Sequence, residues 1–490
     1  MNTNQLPEVF LSDSTISYKV MRLAKQGKVK RLVGKLYTSN LVDSVDNIVH
    51  RRLWEIIGLL FPKAIIADKT AWTLSPNEHN EIFVISDKTR PVTIGTYTIY
   101  PRKGVSAQKT DTPFMENLYL PSTARKFLES VRIARRVKSV ENRYLNQAEL
   151  EERIDAYIRS NQESGMNKLR DKMKELAPVL GLEDEYNKIN AIIGTLLHTH
   201  ESKLVTSIGQ SRKLGDAFDP QREVLFTLLY EELSNRAPVF RKFSNNDSTV
   251  LCFYEAYFSN YIEGTKFPVE DAIKIVFKNQ IPENRPADAH DISETYNVLA
   301  SMQEMRKTPR NFEELIDLLK SRHQKIMAGR SEKHPGKFKT QRNQAGSTVF
   351  VEPDLIVGTL RKGFELYQKL NNALSRAIFM MFMISEVHPF DDGNGRLSRI
   401  MMNSELVASD EQRIIIPTVY RGNYLMALKA LSHNKFTDSF VKTIDFAQKY
   451  THSIDWTDLK KAGDMLKATN AFVENSEDET AILKLPKNIL

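Results

Sequence analysis

The chain has 490 residues, of which 41% are hydrophobic and 27% charged, and its formal net charge is +8. This length predicts two to four folded domains, and the composition excludes an intrinsically disordered protein. The single cysteine, Cys252, excludes an intrachain disulfide framework and favours a reducing compartment. The N-terminus lacks the pattern of a secretory signal, and the apolar run IFMMFMI at 378–384 is far too short to cross a membrane. We therefore expect a cytoplasmic protein with no membrane partner.

The first predicted element is a basic helix followed by a basic hairpin. Ser12 and Asp13 are candidates for the helix N-cap and Gly27 ends the helix, after which VKRLVGKLYTS predicts two short strands that turn at Gly34. This layout predicts a winged helix-turn-helix at 1–45, in which the helix enters the major groove of DNA and the wing contacts phosphate. The candidate DNA contacts are Lys19, Arg22, Lys25, Lys30 and Arg31.

The stretch GKVKRLVGKLY resembles the winged-helix N-termini of the AbiEi-like antitoxins and related transcriptional regulators. In those proteins a basic hairpin precedes a mixed α/β region, and IVHRRLWEIIGLLFPKAIIADKTAWTL continues the resemblance here. The resemblance implies a DNA partner and a small α/β region at 46–110. The alternative is a structural α/β domain whose basic residues form only a solvated face.

A helical connector is predicted at 111–245, because Leu and Ile recur at helical spacing among Lys and Glu. His198 and His200 lie in this segment without a further His or Cys at metal-ligand spacing, so we expect surface histidines. The helical pattern resumes at 246–455, interrupted at 334–356 by a segment that predicts an extended loop or hairpin, and 456–490 form a C-terminal tail. The fold class is therefore mainly α.

The motif HPFDDGNGRLSR at 388–399 carries the strongest chemical signal. A buried helix leads to His388, Pro389 favours extended geometry at 387–388, and a second helix begins after the Gly-Asn-Gly turn. The turn then lies at a helix N-terminus, where free backbone N–H groups favour an anion. Arg396 and Arg399, three residues apart, can both reach that anion, Asp392 suits Mg²⁺, and a histidine accepts a proton near neutral pH.

These twelve residues match every fixed position of H-x-F-x-[D/E]-G-N-G-R-x-x-R, the signature of the Fic proteins, which the chain therefore resembles. The resemblance implies an all-α core with a β-hairpin flap at 334–356, and transfer of AMP from ATP to a Tyr, Ser or Thr hydroxyl of a target protein or of the chain itself. It implies that His388 is the base, that Phe390 anchors the loop and that Asp392 binds Mg²⁺. The residues it implies for ATP are Gly393, Asn394, Gly395, Arg396, Arg399, Tyr420 and Tyr424, and core packing is the alternative for the two tyrosines.

The stretch FSNYIEGTKF, upstream of this motif, matches [S/T]-x-x-x-E-[G/N], the inhibitory-helix motif of Fic proteins. Ser259 and Glu263 share one helical face and Gly264 is a natural helix stop. If Glu263 pairs with Arg399, it occupies the guanidinium that should hold the γ-phosphate, and ATP then binds only in an unproductive pose.

The resemblance thus implies an autoinhibited protein adenylyltransferase that uses ATP and Mg²⁺, and the basic helix and hairpin add an expected N-terminal DNA-binding module. One alternative is a DNA-binding transcriptional regulator whose Fic core senses nucleotide with little catalysis. Another is removal of AMP from a modified protein at the same site, because some Fic proteins use the inhibitory glutamate in that way. The sequence does not identify the target protein, the DNA site or the oligomeric state.

Overall fold

The computed structural model describes residues 6–115, 117–131, 143–243, 249–474 and 481–486. The chain divides into two compact units, Met1–Lys213 and Leu214–Leu490. The predicted five-part division at 45, 110, 245 and 455 stays a prediction. Parts of four predicted domains lie outside the described residues: 1–5 of the winged helix-turn-helix, 116, 132–142 and 244–245 of the connector, 246–248 of the Fic domain, and 475–480 and 487–490 of the tail.

The first unit begins with a helix and a small antiparallel sheet. Helix α1 (Ser17–Lys25) lies between strand β1 (Val9–Leu11) and the hairpin of β2 (Lys30–Val33) and β3 (Leu36–Thr38), and the sheet order is β1-β3-β2. The carboxylate of Asp13 accepts hydrogen bonds from the backbone of Thr15 and Ile16, and the N-cap itself is Ile16, not Ser12 or Asp13. Gly27 takes a φ of 66° just after the helix. The predicted helix and hairpin are confirmed, whereas the winged helix-turn-helix stays a prediction.

A six-stranded mixed sheet follows, in the order β6-β7-β5-β4-β9-β8. Residues of α3, β5 and β7 form its buried core, including Ile56, Ile57, Ile82, Val84 and Ile99. The elements of this region are α2 (Val45–Arg51), α3 (Leu53–Leu60), β4 (Ile65–Ile66), α4 (Thr70–Thr73), β5 (Glu81–Ile85), β6 (Val92–Ile94), β7 (Tyr97–Arg102), β8 (Thr112–Phe114) and β9 (Leu118–Leu120). The predicted α/β character of the N-terminal region is confirmed.

Helices complete the first unit: α5 (Thr123–Ser130), α6 (Gln147–Leu180), α7 (Glu183–Leu196) and α8 (Ser207–Lys213). A capping box between Asn146 and Glu149 begins α6, and Gly181, with a φ of 65°, ends it. Non-helical geometry at Gln162 divides α6 into two helical parts. His198 and His200 are exposed, as expected for surface histidines.

The second unit is mainly helical. Its helices are α9 (Pro220–Ser234), α10 (Thr249–Ile262), α11 (Val269–Lys278), α12 (Pro286–Ala300), α13 (Met302–Met305), α14 (Phe312–Ile326), α15 (Ile356–Tyr367), α16 (Ala373–Val387), α17 (Asn394–Ala408), α18 (Arg421–Asn434), α19 (Thr437–His452) and α20 (Leu459–Ala468). Strands β10 (Gln344–Ala345) and β11 (Thr348–Val349) form the hairpin predicted at 334–356. Nearly every residue of α16 is buried, so this apolar helix is the centre of the core. Among the described residues, each helix is too short or too polar to cross a bilayer.

Candidate functional site

The loop of the site begins where α16 ends, at Val387. His388 follows in left-handed geometry, with φ 53° and ψ 59°, and its N–H still donates to the carbonyl of Ile384 at 2.9 Å. The expectation of an extended His388 before Pro389 is therefore wrong. A residue in left-handed geometry closes the last helical turn and redirects the chain. At His388 this requirement of the helix end outweighs the preference for extended geometry in the residue before a proline.

The loop is anchored from inside the protein. Phe390 is fully buried and its ring stacks on His323 at a centroid distance of 3.8 Å, with Phe338 at 5.1 Å. The side chain of Asn394 accepts a hydrogen bond from the N–H of Phe390 at 3.0 Å and donates one to its carbonyl at 2.9 Å. The anchoring implied for Phe390 is confirmed. The Asn394 side chain is thus used to hold the loop, so only the backbone of Asn394 is available to bind an anion.

The turn ends at Gly393, which has a φ of 75° and precedes the first residue of α17. The first N–H groups of a helix lack intrahelical partners, so this end of α17 suits a phosphate. Asp392 is partly exposed, and its carboxylate accepts a hydrogen bond from the Gly393 N–H at 2.7 Å. The described residues contain no group of three or more His, Cys, Asp or Glu arranged for a metal ion. One carboxylate nevertheless fits Mg²⁺, which commonly takes its other ligands from phosphates and water.

Arg399 and Glu263 form an ion pair beside this loop. The guanidinium Nη2 lies 2.7 Å from Glu263 Oε1, and Arg399 also donates to the hydroxyl of Ser259 at 3.0 Å and to its carbonyl at 2.9 Å. Gly264, with a φ of 95°, follows the end of α10. A Cβ on Gly395 would lie 2.1 Å from Glu263 Oε1, so the Glu263 carboxylate fills the space above the first turn of α17.

The two arginines of the motif do not converge. Arg396 is buried and its Nη1 lies 3.0 Å from Asp291 Oδ2, a carboxylate that also pairs with Arg330 at 2.8 Å. Arg399 points instead to α10, where Ser259 holds it. Both guanidiniums therefore already have partners, and the structure brings only Arg399 to the cavity described next.

A cavity of about 210 Å³ lies beside His388. Tyr424 lines it and is buried, which raises the pKa of its hydroxyl, although Arg399 beside that hydroxyl acts in the opposite direction. Tyr420 is not among the lining residues, because its hydroxyl donates to the Thr443 carbonyl at 3.4 Å and its ring packs on Phe446. The lining residues are Glu263, Ala345, Thr348, Phe350, Ser385, Glu386, His388, Gly395, Arg399, Tyr424, Leu425, Leu428, Lys429 and Ser432.

The hairpin at 334–356, which we call the flap, covers one side of this cavity. Its two strands pair Gln344 with Val349 and turn at Gly346, which has a φ of 58°. The ring of Phe350, just after the second strand, stacks on the His388 imidazole at a centroid distance of 3.7 Å. The sequence did not predict this role of Phe350. The β-branched run that contains Phe350 indicates a strand, but it does not indicate which side chain the Phe350 ring contacts.

His388 is uncharged at neutral pH. Burial, reinforced by the Lys339 ammonium, lowers its pKa to about 4, against the smaller opposing effects of the Ser385 carbonyl, Glu263 and Asp392. Its Nδ1 lies 3.4 Å from the Ser385 carbonyl oxygen, so an Nδ1–H tautomer leaves Nε2 as an acceptor. The imidazole can therefore take a proton from a hydroxyl group that enters the cavity.

The predicted DNA contacts all belong to the first unit. Lys19, Arg22 and Lys25 on α1, with Lys30 and Arg31 on β2, are all exposed. Arg31 donates to the Gly34 carbonyl at 2.6 Å, and none of the five forms an ion pair within the described residues. Their charge is thus not neutralised by acidic neighbours in that part of the chain.

Comparisons with known proteins support the interpretation of the loop. The Fic/DOC family model matches residues 311–406, which include the flap and the motif. Protein adenylyltransferase Fic of Drosophila willistoni is 26% identical over 189 residues, which are 36% of each chain. Protein adenylyltransferase fic-1 of Caenorhabditis elegans is 25% identical over 120 residues, 23% of each chain. The chain therefore spans about a third or less of the length of these curated relatives.

A search of solved structures matches Fic-1 of C. elegans, which is 17% identical, with a TM-score of 0.36 and coverage of 66% of this chain and 98% of that one. A Fic domain containing signaling protein of Bacteroides thetaiotaomicron is 16% identical, also with a TM-score of 0.36, and covers 47% of this chain and 94% of that one. Residues 311–406 thus match the Fic/DOC family, and this part of the chain is distantly similar to the protein adenylyltransferases Fic.

Proposed function

We propose that the chain is an autoinhibited protein adenylyltransferase that transfers AMP from ATP to a hydroxyl group of a target protein or of itself. The observation that carries this proposal is the ion pair of 2.7 Å between Arg399 and Glu263, in the same cavity as His388. A buried, uncharged imidazole, a helix N-terminus and a cation occupied by an internal carboxylate are together the parts of a switched transfer site.

The proposed reaction uses the residues of the loop in sequence. His388 Nε2 takes the proton of the acceptor hydroxyl, and the oxygen forms a bond to the α-phosphorus of ATP as the bond from that phosphorus to the bridging oxygen breaks. Pyrophosphate leaves with the electron pair. Asp392 would hold Mg²⁺, which neutralises charge on the phosphates when it is bound. The backbone of Gly393, Asn394 and Gly395 would bind the phosphates.

Glu263 is the proposed inhibitor of this step. Its carboxylate takes a charge-assisted hydrogen bond from Arg399 and fills the space above Gly395, where a phosphate would otherwise lie. ATP must then compete with an internal anion for the same guanidinium, and a displaced α-phosphate loses its alignment with the acceptor. Ser259 supports the inhibited state, because it holds Arg399 through both its hydroxyl and its carbonyl.

The first test compares wild type, Glu263→Gly and Glu263→Gly/His388→Ala, each incubated with Mg²⁺ and ATP labelled at the α-phosphate. We expect Glu263→Gly to incorporate about 10- to 100-fold more label than wild type, since a hydrogen bond between charged groups contributes about 1.5–3 kcal/mol. The double variant should bind ATP but incorporate no label. A folded, ATP-binding Glu263→Gly protein that is no more active than wild type contradicts the inhibitory role.

The same variants separate the alternatives. If none of them transfers label, although all bind ATP and a cell extract supplies candidate targets, the chain is better explained as a regulator that senses nucleotide. If wild type instead releases AMP from a protein that the Glu263→Gly variant has labelled, Glu263 has a role in removal of AMP as well as in inhibition.

We also propose that the surface of α1 and β2 binds DNA. The support is the group of exposed basic residues Lys19, Arg22, Lys25, Lys30 and Arg31, which lack ion-pair partners within the described part of the chain. Such a surface attracts phosphate without regard to base sequence.

A further inference from the structure

Lys339 is a buried lysine beside the loop that carries His388. Only 2% of its surface is exposed, and its backbone N–H donates to the Pro389 carbonyl at 2.9 Å. Its ammonium donates to the side-chain oxygen of Asn343 at 2.5 Å. The other end of that Asn343 amide donates to the Phe390 carbonyl at 3.0 Å. Lys339 therefore braces the two residues that follow His388, one directly and one through Asn343.

The ammonium also reaches the aromatic contact of His388. Its Nζ lies 5.9 Å from the centroid of the Phe350 ring, and that ring stacks on the imidazole at 3.7 Å with an interplanar angle of 8°. A cation near an aromatic face is attracted by the ring. The position of Phe350 against His388 is therefore tied to the position of the lysine.

Burying a lysine is costly, and an apolar side chain of similar length would pack here without that cost. Burial lowers the pKa of Lys339 to about 8, with Arg222 acting in the same direction and the carboxylates of Glu352 and Asp391 against it. At neutral pH most of the Lys339 side chains are therefore still charged. The lysine thus places a positive charge beside the ring that stacks on His388.

The groups that face His388 shift its pKa in opposite directions. The carboxylates of Glu263 and Asp392 favour a protonated imidazole, whereas burial and the Lys339 ammonium oppose it. A protonated His388 cannot accept a proton from a hydroxyl group. The ammonium thus offsets two carboxylates that belong to the site for other reasons.

We propose that Lys339 is a positioning residue for His388, which fixes the loop and Phe350 around the imidazole and whose charge keeps that imidazole free to accept a proton. The proposal rests on the proposed role of His388 as the base. It adds a residue outside the 388–399 motif to the catalytic arrangement. It also explains why a lysine occupies a core position at the base of the flap.

The test is an NMR titration of the histidine ring protons in the full chain without nucleotide, with His388→Gln used to assign the His388 signal. We expect Lys339→Met, which keeps the length and removes the charge, to raise the pKa of His388 by about 1, because a nearby like charge disfavours the protonated imidazole. Lys339→Arg should leave it unchanged. Lys337→Met is the matched control, because Lys337 is an exposed lysine two residues away.

The same substitutions are then made in the Glu263→Gly background, and AMP transfer is measured against pH. Lys339→Met should raise the pH at which transfer is half-maximal on the acid side, by the same amount as the pKa measured by NMR. Lys339→Arg and Lys337→Met should leave that pH unchanged. An unmoved His388 pKa in folded Lys339→Met overturns the proposal. If Lys339→Met does not fold, Lys339→Gln decides, since it keeps a hydrogen-bond donor for Asn343 without the charge.

The two readouts keep this proposal distinct from the proposed function. The NMR titration needs no enzymatic activity, so an absence of AMP transfer leaves it valid. A raised His388 pKa without a change in the acid side of the transfer profile would mean that Lys339 acts on the imidazole but that His388 is not the base.

Discussion

At the scale of single residues, the protonation of His388 has a direct consequence for the pH dependence of transfer. A base acts only when it is deprotonated, and burial with the help of Lys339 lowers the pKa of His388 to about 4. The Glu263 carboxylate raises this pKa, so its loss in Glu263→Gly lowers the pKa of His388 further. We therefore expect AMP transfer by Glu263→Gly to stay nearly constant from pH 7 to pH 6 and to fall only at or below about pH 4. The measurement is initial rate against pH, with circular dichroism at each pH to show that the protein is folded. A midpoint near 6.5, the value of an unperturbed histidine, would contradict the buried, uncharged imidazole.

Single residues also show what local sequence can predict. His388, Asp392 and Gly393 belong to one short loop, so their spacing along the chain is enough to bring them together. Arg396 differs, because helical spacing predicts the face on which a side chain lies but not the partner across from it. The carboxylate of Asp291, on another helix, holds Arg396 away from the cavity. The sequence pattern contains no signal for that contact.

The same distinction holds for helices and strands. Helix ends at Gly27 and Gly264 were predictable, because glycine at a left-handed position stops a helix whatever surrounds it. Strands β1, β8 and β9 have only three residues each, too few for an alternating pattern, and they exist because neighbouring strands complete their hydrogen bonds. The Phe350 contact was missed for a related reason, since it depends on how the flap folds back over α16.

The flap contacts one partly buried arginine. Arg222 donates to the Val349 carbonyl at 2.6 Å, and its Nε lies 3.1 Å from Glu386 Oε1, two residues before His388. Glu386 in turn accepts a hydrogen bond from Ser432 at 2.6 Å. Loss of Arg222 frees the strand of the flap and leaves a buried carboxylate without its cation.

We expect Arg222→Met, in the Glu263→Gly background, to raise the KM for a protein acceptor about 10-fold, which is the effect of one lost hydrogen bond to a charged group. The affinity for ATP should fall less than the acceptor KM rises, because Arg222 itself does not line the 210 Å³ cavity and acts on it only through Glu386. The matched control is Arg310→Met, whose side chain is 86% exposed and pairs with Glu314 on the surface. Equal losses in ATP affinity and in acceptor KM would show that Arg222 supports the whole site and not the flap.

At the scale of the whole molecule, chemistry and charge are distributed over different parts of the chain. Each of the two units, Met1–Lys213 and Leu214–Leu490, has buried clusters formed by its own residues. The loop, the flap and the Glu263–Arg399 pair all belong to the second unit, whereas the exposed basic surface of α1 and β2 belongs to the first. A function for the first unit can therefore be tested without reference to AMP transfer.

If that basic surface binds DNA, the affinity must depend strongly on salt, because each phosphate contact releases counterions from the duplex. We expect the triple substitution of Lys19, Arg22 and Lys25 by Ala to weaken binding to duplex DNA at every salt concentration. It should also reduce the slope of log Kd against log salt by about 2–3, since each lost contact contributes about 0.9. The measurement is fluorescence anisotropy of a labelled duplex at salt concentrations between about 50 and 200 mM, a range over which phosphate contacts change the affinity strongly.

The matched control replaces three exposed lysines of α6, Lys168, Lys172 and Lys174, and so removes the same number of charges from the same unit. If both triple variants lose affinity equally, the attraction reflects the net charge of the unit and not a docking surface. If neither loses affinity, the helix and hairpin of the first forty residues serve a structural or protein-binding purpose. A loss confined to the α1 variant supports DNA binding by this surface, because only a localised contact depends on where the charges lie.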